Sequence, residues 1–285
     1  MLLSTNLRAY YEELGLEEML SVYSDAGYGA IDFSLNIDEF IGGRDDAFFI
    51  KARETVASYG LTVGQTHAPF PSNFQNEAES EARRGEIIES IKYTALLGAP
   101  YIVIHPLKPY NREDEVCPEE FYQRNLAFFR SLLPCAKKYG VGIAIENCVG
   151  SLTRTSATLC RLMRDLRDES FSVCFDVGHA NYAMYKYPAL GLTADGMIRE
   201  LGEYITCTHF HDNDGTKDAH TLPFYGNIDW DAVCLALADI GYGGNINFEA
   251  SNFADSVPIS LRGSAAKYMV SVGMHLIDNI RAHKK

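Results

Sequence analysis

The chain has 285 residues and a formal charge of -13, with 47% hydrophobic and 22% charged residues. Since α/β barrels of about 250 residues commonly form one domain, this length permits a single large core, and the ordinary composition excludes a largely disordered chain. The excess of negative charge disfavours non-specific binding to phosphate backbones, so we do not expect nucleic acid to be the partner.

Short apolar runs alternate with longer segments of helical periodicity along the whole chain. The runs that predict strands are 2–6, 29–34, 61–66, 101–105, 141–146, 171–176, 204–211 and 244–249. This alternation is typical of repeated βα units with a parallel sheet. The count of eight, with no G-x-G-x-x-G after the first strand, favours a (β/α)8 TIM barrel over an open doubly wound sheet. No Pro/Ser-rich linker interrupts the chain, so we predict a single TIM-barrel domain over residues 1–285.

Two helical segments are the clearest. One begins at Pro118, a residue suited to the first turn of a helix, and the other carries an apolar stripe from Ala265 to Ile280. Gly60, Gly98 and Gly140 each stand just before a predicted strand, where a left-handed residue commonly ends a helix. The last helix is expected to close the barrel against the first.

The cysteines are odd in number, scattered, and contain no C-x-x-C pair: Cys117, Cys135, Cys148, Cys160, Cys174, Cys207 and Cys234. This pattern predicts neither a disulfide framework nor a thiolate zinc site, and it fits a reducing cytoplasm. The first residues lack a basic segment followed by a long apolar one, and no apolar run reaches about 18 residues. We therefore expect a cytoplasmic protein that does not contact a membrane.

Six of the predicted strands end in, or nearly in, a residue type that binds metals: His67, His105, Glu146, Asp176, His211 and Glu249. Alone, a strand-end histidine is more often structural, and an acid there often caps the next helix. Because the carboxyl ends of barrel strands meet on one face, however, these six side chains would share one pocket. Three carboxylates and three imidazoles are costly to bury together without a cation. We predict a divalent-metal site.

Further candidates lie close to these strand ends. His179 follows the sixth strand, while Asp218 and His220 occupy the loop after the seventh. The three could bind an additional metal or form a polar wall that positions substrate hydroxyls. His209 is expected to point to the same sheet face as His211 but deeper, in a core or supporting role.

With these residues in view, the chain resembles the xylose isomerase-like TIM barrels, which include sugar and sugar-phosphate isomerases and epimerases together with endonuclease IV. The resemblance runs from about Gly60 to Glu249 and is carried by THAPF, VIHP, IEN, FDVGHA, HFHDND, HTLPFYGNIDW and FEA. By similarity to the ketose 3-epimerases, one divalent metal (Mn, Zn, Mg or Co) would be bound by Glu146, Asp176, His211 and Glu249.

That resemblance implies a sugar or sugar-phosphate isomerase or epimerase that works by proton transfer through a metal-stabilised enediolate. Glu146 and Glu249 would relay the proton, and the carbohydrate substrate would contact His67, His105, His179 and Lys217. Two positions depart from the epimerases: Leu152 stands where they carry a further glutamate, and Lys217 where they carry a substrate arginine.

Endonuclease IV implies an alternative, a zinc phosphodiesterase that acts on abasic DNA. Its three-zinc site would map onto His67, His105, Glu146, Asp176, His179, His211, Asp218, His220 and Glu249. Against it, the chain has HAPF, DVGH and DAHT where endonuclease IV has H-x-S-Y-L, D-T-C-H and R-H-H. We therefore favour the isomerase, and the polar wall over a third metal site. A metal-binding barrel without catalysis is disfavoured because both glutamates remain, while a homo-oligomer stays open.

Overall fold

The computed structural model describes residues 1–37, 40, 45–110 and 118–284. Its eight strands are β1 (Leu3–Asn6), β2 (Ala30–Ser34), β3 (Thr62–His67), β4 (Tyr101–Ile104), β5 (Gly142–Glu146), β6 (Phe171–Asp176), β7 (Ile205–His209) and β8 (Ile246–Phe248). Neighbouring strands are parallel, in the order β7-β6-β5-β4-β3-β2-β1-β8. A parallel bridge between Phe210 and Phe248 joins the two outer strands. The predicted (β/α)8 barrel is confirmed.

The helices alternate with the strands on the outside of the barrel. They are α1 (Arg8–Ala26), α2 (Asp46–Ser58), α3 (Glu77–Leu97), α4 (Pro118–Tyr139), α5 (Ser156–Leu166), α6 (Val177–Lys186), α7 (Ala194–Leu201), α8 (Trp230–Asp239), α9 (Ser251–Asp255) and α10 (Arg262–His283). The described part of helix α4 starts at Pro118, and α10 packs against α1. The glycines predicted at helix ends adopt positive φ, of 73° at Gly60, 77° at Gly98 and 66° at Gly140.

Helix α1 starts irregularly, in the turn that follows β1. Ala9 is extended, with ψ of 124°, and Tyr10 has a left-handed φ of 70°, so the first turn of the helix is not regular. The Tyr23 hydroxyl donates to the Ala9 carbonyl oxygen at 2.6 Å and thereby satisfies a backbone acceptor that the irregular turn leaves free. Tyr10 is buried by this arrangement.

The barrel interior below the strand ends is filled by small side chains. Val103, Ala144, Cys174 and Cys207 form a separate buried apolar cluster there. Both cysteines are free thiols, as are the other four in the described part of the chain. Across the residues that the structure describes, we find no helix with the length and apolar character needed to cross a membrane.

Three of the predicted strands, 101–105, 204–211 and 244–249, run past the observed strands at their carboxyl ends, whereas β3 ends one residue later than predicted. The run 204–211 forms a strand only to His209, and the run 244–249 only to Phe248. The backbone of Phe210 and Glu249 continues the pairing for one more hydrogen bond, with Glu249 N donating to Phe210 O at 3.1 Å. His211 and Glu249 therefore lie just beyond the strands, where the loops begin.

Candidate metal centre

The predicted ligands meet at the carboxyl end of the barrel. His67, Glu146 and Asp176 are the last residues of β3, β5 and β6, Glu249 directly follows β8, and His211 lies two residues after β7. Four of these side chains are buried, and that of Glu249 retains 14% exposure. The closed barrel thus brings together residues from five strands that are far apart in the sequence.

Glu146 lies at the centre of the site, surrounded by four imidazoles. Its Oε2 is 2.9 Å from His105 Nε2 and 3.3 Å from His67 Nε2. Its Oε1 is 3.0 Å from His179 Nδ1 and 3.6 Å from His209 Nδ1. Burial by itself would raise the pKa of Glu146, but the charges of His105 and His209 outweigh burial and hold that pKa well below its usual range. The carboxylate is therefore ionised at neutral pH.

Three carboxylates converge on a single imidazole nitrogen. His209 Nδ1 lies 3.6 Å from Glu146 Oε1, 3.7 Å from Asp176 Oδ2 and 3.5 Å from Glu249 Oε2. Within the described residues, Glu146 Oε1, Asp176 Oδ2 and His209 Nδ1 have no hydrogen-bond partner. We call these four side chains the carboxylate cage.

The donor set of the carboxylate cage fits a divalent cation. In a tetrahedral site with metal–ligand bonds of about 2.0–2.1 Å, two ligand atoms lie roughly 3.4 Å from each other. The distances from His209 Nδ1 to the three carboxylate oxygens are close to this value. Carboxylate oxygens with one imidazole nitrogen also suit Mn, Mg, Co and Zn. A cation would satisfy buried polar atoms that otherwise have no partner and would offset the repulsion among the carboxylates.

His209, which the sequence predicted in a core or supporting role, supplies the imidazole of this cage, and the predicted ligand His211 lies beside it. The register pairs His209 with Asp176 across β6 and β7, which puts the two side chains at the same level. His211 lies higher, with Nε2 3.1 Å from Asp176 Oδ1 and 3.7 Å from Asp218 Oδ1. Its ring stacks on that of His220 at a centroid distance of 3.8 Å. Asp176 therefore faces His209 with one oxygen and His211 with the other.

Two further groups of ligand atoms flank the cage, each within 4.8 Å. One consists of His67, His105 and Glu146, and the other of His179, His211, Asp218 and His220. The predicted additional residues are thus all brought together, and Glu146 and Asp176 connect the flanking groups to the cage.

Three of the flanking histidines share one arrangement. In His67, His179 and His220, Nδ1 lies 2.8, 3.0 and 2.9 Å from a backbone carbonyl oxygen, to which only an N–H can donate. Each ring therefore presents Nε2 to a carboxylate, Glu146 Oε2 at 3.3 Å or Asp218 Oδ2 at 3.2 and 3.3 Å. Metal-binding histidines usually donate their other N–H in this way.

The same contacts determine the charges in the flanking group that contains Asp218. Burial lowers the pKa of His220, but its hydrogen bond with Asp218 and the charge of Glu249 outweigh burial and raise that pKa to about 9. The pKa of Asp218 is lowered against burial by its hydrogen bonds with His179 and His220. Without a cation, protons on the imidazoles neutralise the carboxylates, and a divalent metal can replace those protons.

A buried polar layer supports the cage from below. Asp32 Oδ2 accepts hydrogen bonds from Gln65 Nε2 at 2.9 Å and Asn247 Nδ2 at 3.1 Å, and lies 3.4 Å from His209 Nε2. A carboxylate behind one nitrogen of an imidazole fixes the ring so that its other nitrogen points towards the metal. These residues were not predicted from the sequence, because a single Asp, Gln or Asn inside a strand carries no distinctive signal.

A cavity of about 210 Å³ opens beside the ligands. Its walls include His67, His220 and Glu249 on the ligand side, and Phe70, Arg8 and Asn252 on the other. Of the predicted substrate contacts, His67 lines this cavity, whereas Lys217 is exposed and not among its lining residues in the described part of the chain. Sequence reasoning missed Arg8 and also Asn6, which donates to Glu249 Oε1 at 3.3 Å and so orients that carboxylate.

A closed parallel barrel with histidines and carboxylates gathered at its carboxyl end defines a TIM barrel with a candidate metal centre. The model of the xylose isomerase-like TIM barrel family matches residues 20–267, and the chain belongs to this family. An uncharacterized protein of Methanocaldococcus jannaschii is 31% identical over 202 residues, which cover 67% of this chain and 65% of that protein. The chain thus spans just under two thirds of that relative's length.

Solved structures share the fold along nearly the whole chain. The crystal structure of a D-tagatose 3-epimerase-like protein superposes with a TM-score of 0.76 at 21% identity, covering 98% of both chains. The IolI protein, whose structure includes a zinc atom, superposes with a TM-score of 0.76 at 18% identity, covering 99% of both. At these identities the similarity shows a common fold.

Proposed function

We propose that this protein is a divalent-metal-dependent isomerase or epimerase of a sugar or sugar phosphate. The observation that carries the proposal is the carboxylate cage, in which two glutamates and an aspartate surround one imidazole nitrogen. The epimerase-like and zinc-containing proteins of the same fold support it. In this proposal Glu146, Asp176, His209 and Glu249 bind the metal, and His211 is a neighbouring ligand.

A divalent cation in the cage would polarise adjacent carbonyl and hydroxyl oxygens of the substrate and so acidify the C–H bond beside the carbonyl. Glu249 is the better placed of the two glutamates to remove that proton, because it lines the cavity whereas Glu146 is fully buried. Both carboxylates have lowered pKa values despite burial, Glu249 through the charges of His209 and His220. Both are therefore ionised and able to accept a proton at neutral pH.

The two glutamates have distinct positions in the proton relay. Glu249 Oε1 is held by Asn6, and Oε2 faces the cage. Glu146 connects the cage to His67 and His105, which can exchange a proton with it at 3.3 and 2.9 Å. We propose that Glu249 takes the proton from the substrate. A proton is returned to the substrate by Glu146 together with its imidazole partners, of which His67 lines the cavity.

The test is conversion of a panel of ketoses, inosose-type polyols and ketose phosphates by chelated and metal-reconstituted protein. We expect an isomer or epimer of at least one compound, formed only after Mn, Mg, Co or Zn is restored. Conversion that survives complete chelation would contradict the role of the metal, and conversion of no compound by the reconstituted protein would contradict the proposed reaction class.

The flanking ligand groups favour one second candidate, a zinc phosphodiesterase that acts on abasic DNA. Together with the cage they offer donors for up to three cations, as a multinuclear hydrolase requires. The charge of -13 opposes an extended contact with DNA. Nicking of an abasic duplex by zinc-loaded protein, without conversion of any sugar, would establish this candidate over the isomerase.

A further inference from the structure

A second cavity, of about 410 Å³, adjoins the one beside the ligands. The two share Arg8, Ser251 and Asn252 as lining residues, so they meet at these side chains. The first cavity, at about 210 Å³, lies below the range of roughly 300–1,000 Å³ that is usual for ligand pockets. The second cavity lies within that range by itself, and because it meets the first cavity at shared side chains, a ligand bound in the first can extend into the second.

Two buried polar groups in the second cavity lack partners. Tyr10 and Arg262 line it and are 2% and 4% exposed. Within the described residues, Tyr10 Oη and Arg262 Nη1 have no hydrogen-bond partner. Arg262 is held in place by Glu13 Oε2, 2.5 Å from Nη2, and its guanidinium lies over the Tyr10 ring at 4.7 Å. Buried donors that are positioned but unpaired are typical of a site that a ligand completes.

The backbone conformation of Tyr10 also supports a binding site in this cavity. Its φ of 70° is uncommon for a residue with a side chain, and strain of this kind is concentrated at binding and active sites. The irregular start of α1 directs the Tyr10 ring into the cavity wall against Arg262. A regular first turn would place this side chain differently.

The charges of the second cavity indicate the kind of ligand. Arg8 and Arg262 face three acids, Glu12, Glu13 and Asp255, so the lining is not positive overall. A phosphate or carboxylate would meet net repulsion there. Burial raises the pKa of Tyr10 to about 12, which keeps its hydroxyl protonated as a donor. Donors beside acceptors and an aromatic ring suit uncharged hydroxyl groups, which both donate and accept.

We propose that the second cavity binds an uncharged, polyhydroxylated unit of the substrate, so that the substrate is a glycoside or disaccharide whose reacting sugar lies in the first cavity. This inference rests on the proposed function, and it names the substrate class of that site. Tyr10 and Arg262 recognise the distal unit, and Arg8 lies between the two units.

The test measures binding of three compounds to the metal-loaded protein by calorimetry: D-fructose, isomaltulose and D-fructose 6-phosphate. Isomaltulose carries a neutral glucose unit on fructose, whereas the phosphate carries an anion at the same position. We expect isomaltulose to bind at least about tenfold more tightly than fructose. Tyr10→Phe should lower the ratio of the isomaltulose and fructose affinities about 3- to 10-fold, the usual value of one hydrogen bond.

Two variants accompany Tyr10→Phe. Asp255→Asn changes an exposed acid of the cavity and should lower the same ratio. Tyr28→Phe removes another buried tyrosine hydroxyl, which is not among the lining residues of either cavity, and should leave the ratio at its wild-type value.

Three results would overturn the inference: equal affinity for all three compounds, no isomaltulose binding at millimolar concentration, or tightest binding of fructose 6-phosphate with loss in Tyr10→Phe. The proposed function fails separately, when the metal-loaded protein converts no sugar of either size. Conversion of monosaccharides without any Tyr10-dependent preference for a disaccharide would therefore reject the second cavity as a subsite and retain the isomerase.

Discussion

The Nε2 atom of His179 lies 3.2 Å from Oδ2 of Asp218, while Nδ1 of the same ring is bonded to the Asn147 carbonyl oxygen at 3.0 Å. The sequence favoured a polar wall for Asp218 and His220, but this contact gives the imidazole the orientation of a metal ligand. We therefore expect the double variant Asp218→Ala, His220→Ala to lose about one equivalent of metal per chain, because the remaining ligands hold a cation poorly.

Elemental analysis of the purified double variant measures this loss. Asp214→Ala is the matched control, since it removes an exposed acid of the same loop and should leave the metal content unchanged. An unchanged metal content in the double variant, with an altered Michaelis constant, would instead support the role of Asp218 and His220 as a polar wall that positions the substrate.

Asp32 is expected to control metal affinity without touching the metal. It lies 3.4 Å behind His209 and holds that ring towards the carboxylate cage. Replacing Asp32 by Asn should weaken metal binding about 10- to 100-fold, the usual effect of removing a residue that orients a metal ligand. Competition with a coloured chelator measures the metal affinity. An affinity equal to that of the wild type would show that Asp32 does not orient the metal ligand His209.

Glu146→Gln should abolish turnover while leaving the fold intact. The substitution removes a charge that faces four imidazoles and takes part in the proposed proton relay, so we expect a rate loss of about 100-fold or more. Glu120→Gln, on the exposed side of α4, is the control. Circular dichroism checks the fold, and a variant that keeps more than about a tenth of the wild-type rate would exclude Glu146 from the mechanism.

The stability of the metal-free protein should fall as the pH rises from about 6.5 to 9.5. His220 has a pKa of about 9 in the folded chain and about 6.5 in the unfolded chain. A group whose pKa is higher in the folded chain than in the unfolded chain stabilises the fold fully at pH values below its unfolded pKa. That stabilisation is lost as the pH rises through its folded pKa. The contribution of His220 is up to about 3 kcal/mol.

Urea unfolding of chelated protein at pH 6.5 and 9.5 measures this change. His220→Gln should reduce the difference between the two pH values, because glutamine does not titrate. Equal unfolding free energies of the chelated wild type at both pH values would contradict the assignment of a protonated His220.

Most strands and helices could be predicted from the sequence because each strand is a short apolar run between helical segments. Glu146, Asp176 and Glu249 could be predicted to share one pocket because a strand end in a barrel fixes which face a residue joins. His209 was predicted to have only a core or supporting role, because the register shift between Val173 and Cys174 that sets its level has no local sequence signal.

The second cavity was beyond sequence reasoning for a different reason. Tyr10 and Arg262 come from the two ends of the chain, and they meet only when β8 pairs with β1 and α10 packs against α1. Neither residue belongs to a motif. Contacts that arise from barrel closure depend on the whole fold and are not visible in any short segment.

The most direct test of the account is solvent deuterium incorporation during turnover of a converted sugar in D2O, with wild-type and Glu249→Gln proteins that both contain metal. Proton transfer through Glu249 predicts one solvent deuterium at the reacting carbon in wild-type product, and neither product nor exchange in the variant. Product that forms without solvent deuterium, or exchange that persists in Glu249→Gln, would contradict proton transfer by this glutamate.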